Sequence, residues 1–379
     1  MDVVYLDNAA TSWPKPPRVL EEMRRFLGEE GGSPSRAGHR LAAAADRLVD
    51  QVRAKLARLF NIADASRVIH CFNCTDALNM AIKGCLNEGD HVITTVLEHN
   101  SINRPLQAMA DAGFITLTRL PITSQGYVDP DAVRAAVEPA TSLVAAIHAS
   151  NVTGVIQPID ALGRIAREHD CLLLVDAAQS AGILDIDVEG AHIDLLALPG
   201  HKSLLGPTGT GALYVGPRAR LKPWREGGTG GDSVYPTQPV ELPTWLEAGT
   251  QNTAGLAGLN AALDLLDPER SLAYERRMLE RIVDATAEDR RINVVGDACP
   301  GRGVGVVSFT IAGKSPFEVA NSLDIAFGIA VRPGLHCAPY LHRALGTFPQ
   351  GTVRASLSPM TNEADVDTFV AALREIATS

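Results

Sequence analysis

No stretch of about 18 consecutive apolar residues, the length a helix needs to cross a bilayer, occurs in the 379-residue chain. A basic excess is missing as well: 34 lysines and arginines stand against 44 aspartates and glutamates, a formal net charge of -10. That balance repels phosphate backbones and argues against nucleic acid as a partner. The opening MDVVYLDNAATSWPKP has neither the basic nor the apolar stretch of a signal peptide, so a cytoplasmic protein is expected, with no membrane partner. Repeats, low-complexity tracts and long charge runs are absent too. Cysteine is scarce, with Cys71, Cys74, Cys85, Cys171, Cys299 and Cys337. Scattered thiols in a reducing compartment are usually small buried hydrophobes. Six cysteines offer no paired C-x-x-C set for zinc, so no metal is expected. The one C-x-x-C pair, Cys71 and Cys74, falls where a strand turns into a helix, which favours two ordinary residues over a redox dithiol.

What remains is an ordinary globular composition, 46% hydrophobic and 21% charged. Residues 40–60 read as an amphipathic helix with Leu41, Ala45, Leu48, Val52, Leu56 and Leu59 on one face. Beyond it, short apolar runs at 67–71, 91–96, 115–120, 142–147, 171–175, 194–198 and 211–215 alternate with helical patterns. One helix is predicted at 128–137, with Asp129 capping and Pro130 in the first turn. Val-, Ile- and Leu-rich runs without polar alternation predict strands covered on both faces. The fold class is therefore α/β, a mostly parallel doubly wound sheet with ligands at the strands' carboxyl ends. The Gly- and Pro-rich stretch 216–250 reads as a long functional loop. From about 263 the pattern becomes helix (271–287), strand (304–311), helix (316–327), strands (329–332 and 352–357) and helix (362–377). That is a second, smaller α+β domain.

Lys202, in LALPGHKSLLGPTGTG, lies just past a buried strand, where a lowered pKa would suit Schiff-base chemistry. Asp176, in VDAAQS, ends another apolar strand, where a carboxylate suits a pyridinium nitrogen. Alone, Lys202 reads equally as an exposed cation and Asp176 as a helix cap. At Cys74–Thr75 a turn enters a helix whose free N–H groups suit a phosphate. With His99 after HVITTV and Asn151 after SLVAAI, five strand ends carry Thr75, His99, Asn151, Asp176 and Lys202 in chain order.

These residues lie in the motifs YLDNAAT, EHNS, SNVTG, VDAAQS, GHKSLLGPTGTG, EAGTQNT and RPGLHCAP, spread over nearly the whole chain. Through them the sequence resembles the cysteine desulfurases of the class V aminotransferase group, fold-type I enzymes that use pyridoxal 5'-phosphate. The resemblance implies a large cofactor-binding domain at 16–262 and a small domain formed by 1–15 and 263–379. Lys202 would carry the cofactor as a Schiff base and shuttle the substrate's α-proton. Asp176 would hold the ring nitrogen protonated, Gln179 would bond the ring oxygen, and His99 would stack on the ring and move protons. Cys74, Thr75 and His201 would bind phosphate, with Thr250 reaching it from the neighbouring subunit of a homodimer. Arg354 would clamp the substrate carboxylate, flanked by Asn8 and Asn151, with Arg332 as a further substrate or loop contact. In one position the sequence departs from the pattern: Pro199 stands where the family commonly places a phosphate-binding serine.

Cys337, in VRPGLHCAPYLHR, selects the reaction. Positive neighbours favour the thiolate, which is the nucleophile, and His336, His342 and Arg343 adjoin it in sequence. The resemblance implies attack on the sulfur of L-cysteine, leaving a persulfide on Cys337 and releasing L-alanine. Arg354 follows Cys337 by only 17 positions, a short interval similar to group II desulfurases. Such a loop cannot swing far, so a sulfur-acceptor protein or small thiol is expected to approach the site. L-Selenocysteine lyase activity, or an aminotransferase or epimerase that does not use Cys337, stays open at this stage.

Overall fold

Val-, Ile- and Leu-rich runs do form the central sheet of the computed structural model, which describes residues 3–34, 38–230, 236–287, 289–296 and 300–378. Its seven strands lie in the spatial order Val68–Cys71, Gly211–Val215, Leu195–Pro199, Leu172–Asp176, Thr141–Ile147, Asp90–Thr95 and Ile115–Leu120. All run parallel except Gly211–Val215, which is antiparallel to both neighbours. Leu195–Pro199 and Gly211–Val215 are buried along their whole length, as strands covered on both faces must be. One face packs on the helix Arg40–Leu59 through Ala45, Leu48, Val52 and Leu56. Leu41, expected on that face, is instead 39% exposed because it sits in the first turn beyond the core's edge. The other face is covered by Cys74–Cys85, which buries Ala77, Leu78, Met80, Ala81 and Ile82.

A four-stranded antiparallel sheet follows, ordered Arg332–Gly334, Thr352–Ser356, Val306–Ile311 and Ile292–Val294. The helices Pro268–Ala287, Pro316–Phe327 and Glu363–Thr378 contribute Leu279, Leu323 and Phe369 to its core. The start of the chain joins this region: Val4–Tyr5 pairs in parallel with Ile329–Ala330. Between 216 and 250 the described residues contain no helix or strand. Gly231 of that stretch and Cys299 lie outside the described residues. No helix among the described residues is long and apolar enough to cross a membrane.

Burial gives the fold a pH optimum. His70, His99, His148, His201 and His342 are drawn down to about 4, and His336 to about 2, in each case chiefly by desolvation. Such a group binds its proton more weakly when folded, so its contribution is lost as pH falls through the ordinary histidine value of 6.5. Glu98 and Glu275 go the other way, pushed up to about 8 by burial, and their contribution is lost as pH rises from the ordinary 4.5 through 8. Six histidines outweigh two glutamates on the acid side. The melting temperature is expected to peak between roughly pH 6.5 and 7, falling more steeply toward pH 5 than toward pH 8. A melting temperature that is flat or rises from pH 6.5 to 5 would contradict this.

Candidate active site

Strand ends and helix starts meet at one edge of the seven-stranded sheet, around a cavity of about 450 Å³. Cys74, Thr75, His99, Asn151, Asp176, Gln179, His201 and Lys202 all line it, as does Pro199. The Lys202 backbone is fixed by a tight turn: Leu205 N donates to Lys202 O at 2.7 Å, and Gly206 N to Gly200 O at 2.8 Å. Gly200 is required there, since a Cβ would stand 2.1 Å from Thr210 Oγ1. Desolvation lowers the Lys202 amine and raises the Asp176 carboxyl, each partly countered by the other's charge. Asp176 Oδ1 accepts from Ala178 N at 2.8 Å and from Cys74 Sγ at 3.4 Å. Burial pushes the thiols of Cys74 and Cys71 well up, so both remain protonated.

His99 caps the helix Asn100–Asp111, its Nδ1 accepting from Ser101 N at 3.0 Å. That bond leaves the ring proton on Nε2. Desolvation, with Lys202, Arg332 and Arg354 nearby, draws His99 down to about 4, so it is a neutral ring at pH 7. Ser101 Oγ also bonds Thr75 Oγ1 at 2.7 Å and His99 Nδ1 at 2.8 Å, linking the two helix starts. Cys74 and Thr75 open a 12-residue helix, where first-turn N–H groups have no intrahelical acceptor. Asn73 satisfies a third one, accepting from Asp76 N.

The Cys337 segment is fastened to this cavity rather than lining it. Cys337 O accepts from Asn100 N at 2.8 Å, directly beside His99, and His336 O accepts from Asn151 Nδ2 at 2.6 Å. His336 and Cys337 are both left-handed, with φ 47° and 60°. Of the basic neighbours expected from sequence, His336 and His342 are held neutral, and Arg343 stacks 3.9 Å from the Phe348 ring centroid. The cation that does reach the thiol is Arg332, its Nη2 lying 3.7 Å from Cys337 Sγ. His336 is neutral because it is buried against Arg354, with its Nε2 bonded to Thr352 Oγ1 at 3.0 Å.

Arg354 is 1% exposed and lies in the next layer out from the cavity. Its Nη1 donates to Asn151 O at 3.0 Å and its Nη2 to Asp7 Oδ1 at 2.7 Å, while Nε is buried without a partner. Asn8 does not line the cavity: its Nδ2 donates to Ser356 O at 3.0 Å and its Oδ1 accepts from Trp13 N at 3.2 Å. Thr250 stands apart, exposed on the wall of a separate cavity of about 700 Å³ beside Arg53 and Glu247. The arrangement unites an amine, a buried carboxylate, an anion-ready helix start and a thiol beside a guanidinium.

Residues 4–369 match the family Aminotransferase class-V. The chain is 34% identical to a probable cysteine desulfurase of Halalkalibacterium halodurans, over 98% of this chain and 93% of that one. It is 33% identical to a cysteine desulfurase of Dickeya dadantii, over 99% and 92%. Its fold superposes on the apo structure of the cysteine desulfurase from Thermococcus onnurineus NA1 with a TM-score of 0.93 and 32% identity, covering 99% of this chain and 95% of that one. The chain belongs to the cysteine desulfurase family. That family depends on pyridoxal phosphate, and the cavity fits such a group. The helix start suits a phosphate, Asp176 a ring nitrogen and Lys202 an aldehyde carbon, while His201 Nδ1 and Asn151 Oδ1 are buried polar atoms without partners.

For a member of this family the site has two features that sequence reading did not supply. Asp7 was passed over although it sits inside YLDNAAT, next to Asn8. Ser101, the serine of EHNS, shares the cavity wall with Thr75, and among the described residues these two carry its only hydroxyls. With Pro199 contributing neither O–H nor N–H, they are the side-chain hydroxyl donors at hand for an anion in this cavity.

Proposed function

We propose that the protein is a pyridoxal-phosphate-dependent cysteine desulfurase, acting in the cytoplasm, that converts L-cysteine to L-alanine and takes the sulfur as a persulfide on Cys337. The observation that carries this reading is the fastening of the Cys337 segment to Asn100 and Asn151, which keeps the thiol beside the Lys202 cavity. In this reading residues 16–262 form the cofactor-binding domain, and 1–15 with 263–379 the smaller one, supported by the pairing of Val4–Tyr5 with Ile329–Ala330.

Cys74, Thr75 and His201 would hold the phosphate of pyridoxal phosphate, Gln179 the ring oxygen and Asp176 the protonated ring nitrogen, with Thr250 completing the phosphate site of a second subunit. The group, when bound, would supply an electron sink for the pair freed at the substrate's Cα. Lys202 Nζ, kept from full protonation by desolvation, takes the Cα proton. His99, whose Nε2–H is free of the Ser101 bond, would stack on the ring and deliver or receive a proton at the substrate. Arg354, oriented by Asp7 and Asn151 O, is the guanidinium for the substrate carboxylate, its Nε being the donor left without a partner, with Asn151 beside it and Asn8 acting only through the backbone it braces. Arg332 donates to Cys337 Sγ and so steadies the attacking sulfur. Cys337 thiolate attacks the substrate sulfur; the C–S bond breaks, its electron pair stays with the substrate carbon, and protonation there leads to alanine. A protein or small thiol then removes the outer sulfur.

The test is alanine release from L-cysteine, and separately from L-selenocysteine, by cofactor-loaded protein with and without dithiothreitol. With L-cysteine in slight excess, a burst of about one alanine per subunit and a slow phase accelerated by dithiothreitol are expected. Sustained fast release without any acceptor would overturn the persulfide step. A strong preference for L-selenocysteine would reassign the substrate.

A further inference from the structure

The carbonyl oxygen of His201, the residue before Lys202, is surrounded by donors from the start of the chain. Lys15 Nζ lies 2.8 Å from it, Ser12 N 3.0 Å, Thr11 Oγ1 3.1 Å and Ser12 Oγ 3.2 Å. Lys15 Nζ also donates to Ser12 Oγ at 2.8 Å. No carboxylate lies within ion-pair distance of this half-buried ammonium among the described residues. Burial draws it down to about 8, so it keeps its proton at pH 7. An ammonium without a counter-charge is costly to desolvate, and nothing in local packing calls for one.

The segment that delivers it is itself braced. Tyr5 OH donates to Thr11 O at 3.0 Å, the Tyr5 and Trp13 rings lie 5.5 Å apart, and Gln179 Nε2 donates to Ala9 O at 3.1 Å. Ala9 N donates to Ser356 Oγ at 2.8 Å. The strap thus touches two residues of the cavity wall, Gln179 and His201.

We propose that Lys15 is a positioning residue for Lys202: by holding the His201 carbonyl it fixes the backbone from which the Lys202 amine enters the cavity. A charge-assisted bond to a carbonyl is stronger than a neutral one, and small displacements of a reacting group cost large rate factors. This rests on the reading of Lys202 as the cofactor-bearing lysine.

The experiment compares Lys15→Met, Lys15→Gln and Lys202→Ala in the cofactor-loaded protein. It reads the visible band of lysine-bound cofactor, kcat and KM for L-cysteine at pH 7, and the melting temperature. In Lys15→Met, kcat falls roughly tenfold with KM within about twofold; Lys15→Gln, which can still donate to the carbonyl, recovers most of kcat. A kcat within twofold of wild type in Lys15→Met, a rise in KM as large as the fall in kcat, or no recovery in Lys15→Gln overturns the proposal. Persistence of the lysine-bound band in Lys202→Ala instead overturns the underlying reading of the site.

Discussion

Lys202→Ala is expected to abolish alanine formation, lowering kcat by at least about 10⁴-fold, while leaving the protein folded. The amine has no hydrogen-bonded partner, and its charge opposes desolvation on the cavity wall. Its removal therefore takes away a strained cation rather than a structural contact, and a melting temperature within about 3 °C of wild type follows. Catalysis has no such tolerance. Among the described residues no other amine lines the cavity, and the neighbouring His99 has its Nδ1 committed to Ser101 N. Amino-acid analysis of the product and the visible spectrum of the loaded protein check both halves. Alanine formed at a hundredth of the wild-type rate or faster would remove Lys202 from its assigned role.

Cys337→Ala and Cys337→Ser are expected to lower steady-state alanine release by roughly 10³-fold, with the spectral response to added L-cysteine retained. The separation of the two readouts comes from the geometry. The Cys337 segment is fastened beside the cavity by its carbonyl, which accepts from Asn100 N, and by His336 O, which accepts from Asn151 Nδ2. Neither bond uses the thiol, so substrate binding and Cα deprotonation survive its loss. The left-handed backbone at φ 60° is no worse for alanine or serine than for cysteine. Activity that survives both substitutions would mean sulfur leaves by direct elimination and not by transfer to the protein.

Much of this was legible because burial writes itself into composition. A strand such as Leu195–Pro199, buried throughout, must be a run of apolar residues, and its end must carry whatever the cavity needs. Direction is not written that way: Gly211–Val215 looks like its parallel neighbours and runs against them. Ile292–Val294 escaped notice since three residues with one buried side chain make no periodic signal. At the site, the lining residues followed from motifs, yet the identity of the cation near the thiol did not. Sequence adjacency favoured His336, His342 and Arg343. Desolvation neutralises the first two, a ring stack occupies the third, and strand pairing of Arg332 with Arg354 brings the real neighbour close. Asp7 was missed for a similar reason, since its partner lies 347 positions away.

The same distance bears on how the protein is made. Asn8 bonds Ser356 across 348 positions, and Val4–Tyr5 has no strand partner until Ile329–Ala330 exists. Contacts so remote in sequence close late, and a chain emerging from the ribosome folds from its beginning. The seven-stranded sheet can therefore assemble during synthesis while the first 15 residues wait as a loose end. Only after residue 356 has emerged can they settle over the His201 carbonyl and complete the surroundings of Lys202. A newborn chain thus reaches its cofactor-ready form only once the small-domain strands exist, well after the sheet that bears Lys202.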